Sequence, residues 1–215
     1  MNKYKVVEKF VSIDGEGSRS GFPVVFIRFA NCNLDCPYCD TQYANKEPKY
    51  EVMTEKQIVA YITLTGFKRV TLTGGEPLIQ PGIISLIDTL MLAEFEVNIE
   101  TNGAVEIQGV NEEAIVTMDY KCPSSGMEDK MILSNFDLLN ETDVLKFVIG
   151  SKEDLIKAKE IIDEYKPEAQ IFFSPVWGKI EPVEIVEFML NNKMANVKFQ
   201  VQVQKIVWSP NKRGV

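Results

Sequence analysis

Histidine is absent from all 215 residues. With it go Ser-His-Asp and Cys-His catalysis, zinc sites that need imidazole, and haem held by a histidine. Any chemistry must rest on cysteine, carboxylates, lysine, arginine, tyrosine or a cofactor. No apolar run reaches the roughly 18 residues that span a bilayer. The opening MNKYKVVEKF lacks the apolar core and small-residue cleavage site of a secretory signal. Positive charge is in deficit, since 23 Lys and Arg face 31 Asp and Glu for a formal net charge of −8. Such a surface repels nucleic acid and anionic membrane. The expectation is a cytoplasmic protein with no nucleic-acid or membrane partner. A length of 215 residues, 45% of them hydrophobic and 25% charged, suits one globular domain.

What the chain does contain is a repeating pattern. Apolar, β-rich runs recur at 24–30, 70–73, 96–101, 114–119, 144–149, 170–174 and 196–203, most of them nearly continuous in hydrophobicity. Strands buried on both faces of a parallel sheet read this way. Helix-period stretches lie between several of them. Thr54 precedes 55–65, Pro81 opens 82–92, Ser151 caps 152–165 and Pro182 opens 183–190. The βαβα order implies an α/β fold with right-handed crossovers. A closed eightfold barrel usually takes about 250 residues, so six or seven units imply a single-domain, partial, open TIM-like barrel of (β/α)6 type. Function in such sheets gathers at the carboxyl ends of the strands. Those exits carry Arg28 and Asn31, the run 73–76, Glu100-Thr101-Asn102, Asp119-Tyr120-Lys121, Lys146, Ser174, Gln202 and Gln204.

Three cysteines, Cys32, Cys36 and Cys39, fall within eight residues directly after the first core strand, and a fourth, Cys122, lies far downstream. Disulfides are a poor account of an odd trio in a chain with no secretory signal. A four-cysteine zinc site using Cys122 is one alternative. The other is a 4Fe–4S cluster whose fourth iron is left for a non-protein ligand, and the short loop suits it better. At the exit of the second predicted strand, Gly74 and Gly75 permit close approach of backbone to a ligand.

The Cys-x3-Cys-x2-Cys spacing with Tyr38 before the last cysteine resembles the radical S-adenosylmethionine superfamily, and 73–77 (TGGEP) resembles its methionine-binding motif. The resemblance narrows over five separated stretches. These are 10–17 (FVSIDGEG), Asp40-Thr41 after the last cysteine, 100–103 (ETNG), 119–126 (DYKCPSSG) and 208–215 (WSPNKRGV). Together they are similar to the 7-carboxy-7-deazaguanine synthase family, with Asp14 where that family usually has Gln.

The resemblance implies a lyase that converts 6-carboxy-5,6,7,8-tetrahydropterin to 7-carboxy-7-deazaguanine with loss of ammonia, in queuosine and 7-deazapurine biosynthesis. It implies a 4Fe–4S cluster on Cys32, Cys36 and Cys39, S-adenosylmethionine as recycled cofactor, and Mg2+ on Thr41. It implies cofactor contacts from Pro37, Tyr38, Gly75, Glu76, Thr101, Asn102, Asp119, Tyr120, Lys121 and Ser124, with Glu76 and its neighbouring backbone taking the methionine ammonium. Substrate contacts fall to Ile13, Asp14, Gly15, Glu16, Arg28, Thr73 and Val215. One radical core spans 1–215, with a substrate-binding extension at 1–23 and a tail at 204–215 that closes the site. Cys122 is read as a packing residue. The implied partners are a small-molecule substrate, an electron donor such as flavodoxin or ferredoxin, and a second copy in a homodimer. Two other readings compete: an activase that installs a glycyl radical on a partner protein, and a zinc-stabilised structural module.

Overall fold

The computed structural model describes residues 2–215. Its first strand, β1 (Lys3–Ile13), runs antiparallel to β2 (Pro23–Phe29), with Val6 opposite Phe29 and Ile13 opposite Pro23. The connecting loop is held by Asp14 N–H to the Phe22 carbonyl and Gly21 N–H to the Asp14 carbonyl. On its other side β1 pairs antiparallel with β3 (Glu51–Thr54). Neither β1 nor β3 reads as a core strand in the sequence, because charged residues interrupt β1 and β3 is only four residues long.

From β2 onward every pairing is parallel. The strands are β4 (Arg69–Gly74), β5 (Glu96–Thr101), β6 (Ile115–Tyr120), β7 (Val144–Ile149), β8 (Gln170–Pro175) and β9 (Val197–Phe199). Their order is β3-β1-β2-β4-β5-β6-β7-β8-β9, so β3 and β9 are never joined and the barrel stays open. The helices are α1 (Glu55–Thr65), α2 (Ile83–Leu92), α3 (Lys152–Tyr165), α4 (Pro182–Asn191) and the short α5 (Val203–Val207). Thr54 and Gln57 form a reciprocal capping box for α1, and Gly66 ends it in the left-handed conformation. No α-helix joins β5 to β6 or β6 to β7. Those connections are loops and 3-10 turns, so strict βαβα alternation fails there. The expected strand at 196–203 also stops early, at Phe199; Gln200 N–H still bonds the Phe173 carbonyl at 2.9 Å, while its side chain bonds both backbone groups of Gly17.

The strands are buried on both faces, but the two faces differ in chemistry. Val70, Leu72, Val97, Ile99, Val116, Met118, Tyr120, Leu145, Phe147 and Ile149 join two apolar clusters that include residues of the helices. The alternate residues Thr71, Thr73, Asn98, Thr117 and Lys146 are buried and polar. Successive side chains on a strand point to opposite faces, so the same β-segments seal a greasy outer layer and build a polar lumen. Thr117 donates to Asn98 at 2.9 Å between the neighbouring strands β6 and β5. Among the described residues no helix is long and apolar enough to cross a membrane.

Candidate active site

The polar lumen opens at the carboxyl ends of the strands into a cavity of about 750 Å³. Cys32, Cys36 and Cys39 line it, brought there by the loop after β2. Asn31 starts the loop in the left-handed conformation, φ 71°, and its N–H bonds the Ala44 carbonyl at 2.7 Å. The Cys32 N–H donates to Asn45 Oδ1, and Asn102 Nδ2 approaches the Cys32 sulfur at 3.4 Å. Burial raises the Cys32 and Cys36 thiols above their ordinary range. Cys122 is fully buried in the apolar layer and does not line the cavity.

The residues fit the implied groups. Three free thiols of one loop face a shared space. Three thiolates on one short loop suit a multi-iron cluster with one iron left to a non-protein ligand. Around the same space Tyr38 OH, Glu16 Oε1 and Gln204 Oε1 are buried without a hydrogen-bond partner. Buried polar atoms are normally paired, so these three are available to a polar ligand.

The cavity reverses the sign of the molecule. Its wall carries Arg28, Lys121, Lys146, Lys179, Lys205, Lys212 and Arg213 against Glu16, Asp35, Asp40, Glu100 and Asp119. At the centre, Lys146 Nζ lies 3.0 Å from Asp119 Oδ1 and 3.2 Å from Glu16 Oε2, while Lys121 Nζ holds Asp119 Oδ2 at 2.9 Å. Burial works to raise Asp119, but the two ammoniums override it and hold the carboxyl below its usual range. Glu100 accepts from Thr73 at 2.7 Å, and burial raises it despite the charge of Lys146.

Most expected contacts line this cavity: Ile13, Gly15, Glu16, Arg28, Tyr38, Thr41, Thr73, Gly75, Thr101, Asn102, Asp119, Lys121 and Val215. Thr41 Oγ1 sits 3.5 Å from the Cys39 sulfur, and its hydroxyl makes no helix-capping bond. Arg28 Nε is held by Glu8 at 3.1 Å, which orients the guanidinium without using its outer nitrogens.

Five expected residues lie elsewhere, four of them for a visible physical reason. Asp14, 1% exposed, lies outside the cavity wall, where it pairs with Arg19 Nε at 3.0 Å and accepts from Thr71. Tyr120 faces the apolar outer layer because its neighbours Asp119 and Lys121 face inward. Ser124 is bound through both N–H and hydroxyl to Asp154. Pro37 does not line the cavity. Glu76, 0% exposed, is tied internally: Oε1 accepts from Leu78 N–H and Thr101 Oγ1, and Oε2 from Asn102 N–H. Burial raises its carboxyl to about 7. It fastens one strand exit to the next. Gly74 and Gly75 also serve the scaffold: a Cβ on Gly74 would come 2.3 Å from the Phe29 carbonyl oxygen, and one on Gly75 would come 1.9 Å from that of Asn31.

The C-terminal segment returns to the cavity, with 209–215 on its wall. Val203 N–H bonds the Gly15 carbonyl, Lys205 pairs with Asp40 at 3.0 Å, and the Arg213 guanidinium stacks 3.7 Å from the Tyr43 ring. Lys146, Gln202 and Gln204 stand among the polar strand exits but not among the expected site residues. The signal that promotes Lys146 is a lysine in an otherwise apolar run, V-L-K-F-V-I.

A partial parallel barrel whose first core strand delivers three cysteines to a polar cavity defines the radical S-adenosylmethionine class, and the Radical SAM superfamily matches residues 26–116. The chain is 54% identical to the 7-carboxy-7-deazaguanine synthase of Clostridium acetobutylicum over 99% of both chains. It is 38% identical to the synthase of Methanospirillum hungatei, covering 96% of this chain and 86% of that one. The chain belongs to the 7-carboxy-7-deazaguanine synthase family. The crystal structure of QueE from Escherichia coli superposes with a TM-score of 0.78 over 94% of each chain at 23% identity, a likeness of fold.

Proposed function

We propose that the chain is a radical S-adenosylmethionine lyase that converts 6-carboxy-5,6,7,8-tetrahydropterin to 7-carboxy-7-deazaguanine, releasing ammonia, in queuosine and 7-deazapurine biosynthesis. The observation that carries it is the meeting of three loop thiols with a Lys–Asp–Glu cluster built on the buried Lys146 in one cavity. When bound, the 4Fe–4S cluster and S-adenosylmethionine supply one-electron cleavage and hydrogen-atom abstraction.

The chain's own residues bind and orient. Cys32, Cys36 and Cys39 are the cluster ligands in this reading. Tyr38, Gly75, Thr101, Asn102, Asp119 and Lys121 flank the cofactor, with Lys121 as the cation facing its carboxylate. A pterin presents a flat donor–acceptor edge and a carboxylate. Glu16 Oε1, unpartnered and buried, can accept from that edge, and the outer nitrogens of Arg28 suit the carboxylate bidentately. Glu100 and Thr73 face the same substrate. Thr41 is the Mg2+ ligand, since that ion takes few protein oxygens and borrows others from substrate. The 204–215 tail, seated against the Gly15 and Tyr43 walls, excludes water from the bound pterin.

A flavodoxin or ferredoxin supplies the electron, and a second copy of the chain joins in a homodimer. The open barrel leaves one side of β3 and of β9 unpaired, and exposed strand edges invite pairing. The test is an anaerobic assay of reconstituted protein with carboxytetrahydropterin, S-adenosylmethionine, reductant and Mg2+. Mass analysis should find 7-carboxy-7-deazaguanine and one ammonia per turnover. Cofactor cleavage without that product would overturn the reading.

A further inference from the structure

Lys146 enters the lumen from the middle of β7 and is 6% exposed. Burying an ammonium is costly unless carboxylates compensate it. Here they do: Lys146 Nζ is 3.2 Å from Glu16 Oε2 and 3.0 Å from Asp119 Oδ1. The two partners come from distant parts of the chain. Glu16 belongs to the loop after β1, while Asp119 belongs to the exit of β6. Each carboxylate has one oxygen on Lys146 and a second restraint besides. Gln202 Nε2 also donates to Glu16 Oε2 at 3.2 Å, and Lys121 holds Asp119 Oδ2 at 2.9 Å. The consequence is directional. Glu16 Oε2 is saturated, and Oε1 is left buried with no partner.

We infer that Lys146 is a positioning residue. It fixes the Glu16 carboxylate so that Oε1 faces the pterin edge, and through Asp119 it ties that substrate-binding carboxylate to the cofactor side of the cavity. The inference rests on the function proposed above, because it needs substrate and cofactor on opposite sides of Lys146. An ammonium has the right chemistry for this role, since three donors on one compact tip bridge two carboxylates in a way no neutral side chain reproduces. Without it, two partly buried carboxylates about as close as their shared partner allows would repel, and Glu16 would turn from its pose. Cofactor cleavage would then proceed beside a poorly held substrate.

The test pairs Lys146→Met with Lys146→Arg, and has one readout that needs neither cluster nor turnover. Fluorescence titration of 6-carboxypterin into cluster-free protein should show binding weakened about tenfold or more in Lys146→Met, and recovered for the most part in Lys146→Arg. In the reconstituted enzyme, free 5′-deoxyadenosine released per deazaguanine formed should rise about tenfold in Lys146→Met. Two results would overturn the inference. One is carboxypterin binding by folded Lys146→Met that matches wild type. The other is equal loss in both variants, which marks a packing role. Should Lys146→Met not fold, Lys146→Gln takes its place under the same criteria. Wild-type turnover in the same assay judges the proposed function separately: if wild type makes the deazaguanine and the variants stay coupled, only the role of Lys146 falls.

Discussion

Gly75 stands against Asn31, with its N–H bonded to the Phe29 carbonyl at 3.0 Å and its Cα so close that a Cβ would fall 1.9 Å from the Asn31 carbonyl oxygen. The next N–H, of Glu76, donates to that same carbonyl at 2.8 Å. The glycine pair therefore clamps the root of the cysteine loop. Gly75→Ala must push backbone against backbone, which overpacking data put at about 3 kcal/mol. Urea unfolding should show that loss, and iron bound after reconstitution should fall with it. Normal iron content at reduced stability would separate the clamp from the loop's geometry.

How much of this is legible in the sequence follows from the strands. Their apolar character is plain, and so are the caps at Thr54, Ser151 and Pro182, because each is a local signal. The polar lumen is legible too, in alternations such as V-T-L-T and V-N-I-E-T, but it is masked when a strand is read as one apolar run. That is why Tyr120 groups with Asp119 and Lys121 in the sequence, although it must face the other way. Asp14, Glu76 and Ser124 are misplaced for a different reason. Their partners Arg19, Asn102 and Asp154 are fixed only by tertiary structure. A carboxylate in a motif does not reveal whether its oxygens serve a ligand or the scaffold.

Asp14 and Arg19 form a buried pair, 1% and 6% exposed. Removing one partner strands a buried charge, and such losses run to about 3–5 kcal/mol. Arg19→Met should fall in that range by chemical denaturation. The double replacement Asp14→Met with Arg19→Met should recover much of the loss. A double variant as weak as the sum of the singles would mean that the two residues act independently.

Glu76 gives stability a pH slope whose sign can be worked out. Burial raises its folded carboxyl to about 7, above the ordinary unfolded value of about 4.3. A raised acid stabilises the fold below the unfolded pKa, and that contribution drains away as pH climbs through the folded pKa. Cluster-free wild type should thus lose stability between about pH 4.3 and 7. Glu76 accounts for at most about 4 kcal/mol. Asp14, raised to about 7 by burial and by the charge of Glu100, titrates in the same window. Glu100 and Asp143, also raised by burial, act with the same sign, so Glu76→Gln should flatten the slope only in part. It should also cost about 1–3 kcal/mol at pH 5, because an amide NH2 would meet the donors of Leu78, Thr101 or Asn102. Parallel wild-type and variant curves would show that Glu76 ionises alike in both states.

The four cysteines should divide three to one. Cys36→Ala removes a thiol from the cavity wall and should abolish cofactor cleavage and most bound iron. Cys122→Ala trims a fully buried side chain in the apolar layer. It should cost about 1–2 kcal/mol while keeping iron, sulfide and the visible spectrum. Iron lost from the Cys122 variant would make it a ligand after all.

Gly15 offers a way to disturb the tail without disturbing the fold. A Cβ there would come 1.7 Å from Gln204 Oε1, which is the far end of a flexible side chain, and all three nearest atoms belong to Gln204. Gly15→Ala should displace that amide and spare the backbone, so stability should change by less than about 1 kcal/mol. Gln204 Oε1 is buried and unpartnered beside the cavity, and Val203 next to it bonds the Gly15 carbonyl at 3.1 Å. If the tail helps hold the pterin, the variant's KM for substrate should rise about three- to tenfold while the KM for S-adenosylmethionine stays put. The split matters because the proposed function puts cluster and cofactor on the cysteine loop, whereas Gly15 adjoins Glu16 and the tail. A rise in both KM values would implicate the whole cavity, and a rise in neither would take Gln204 out of the substrate's reach.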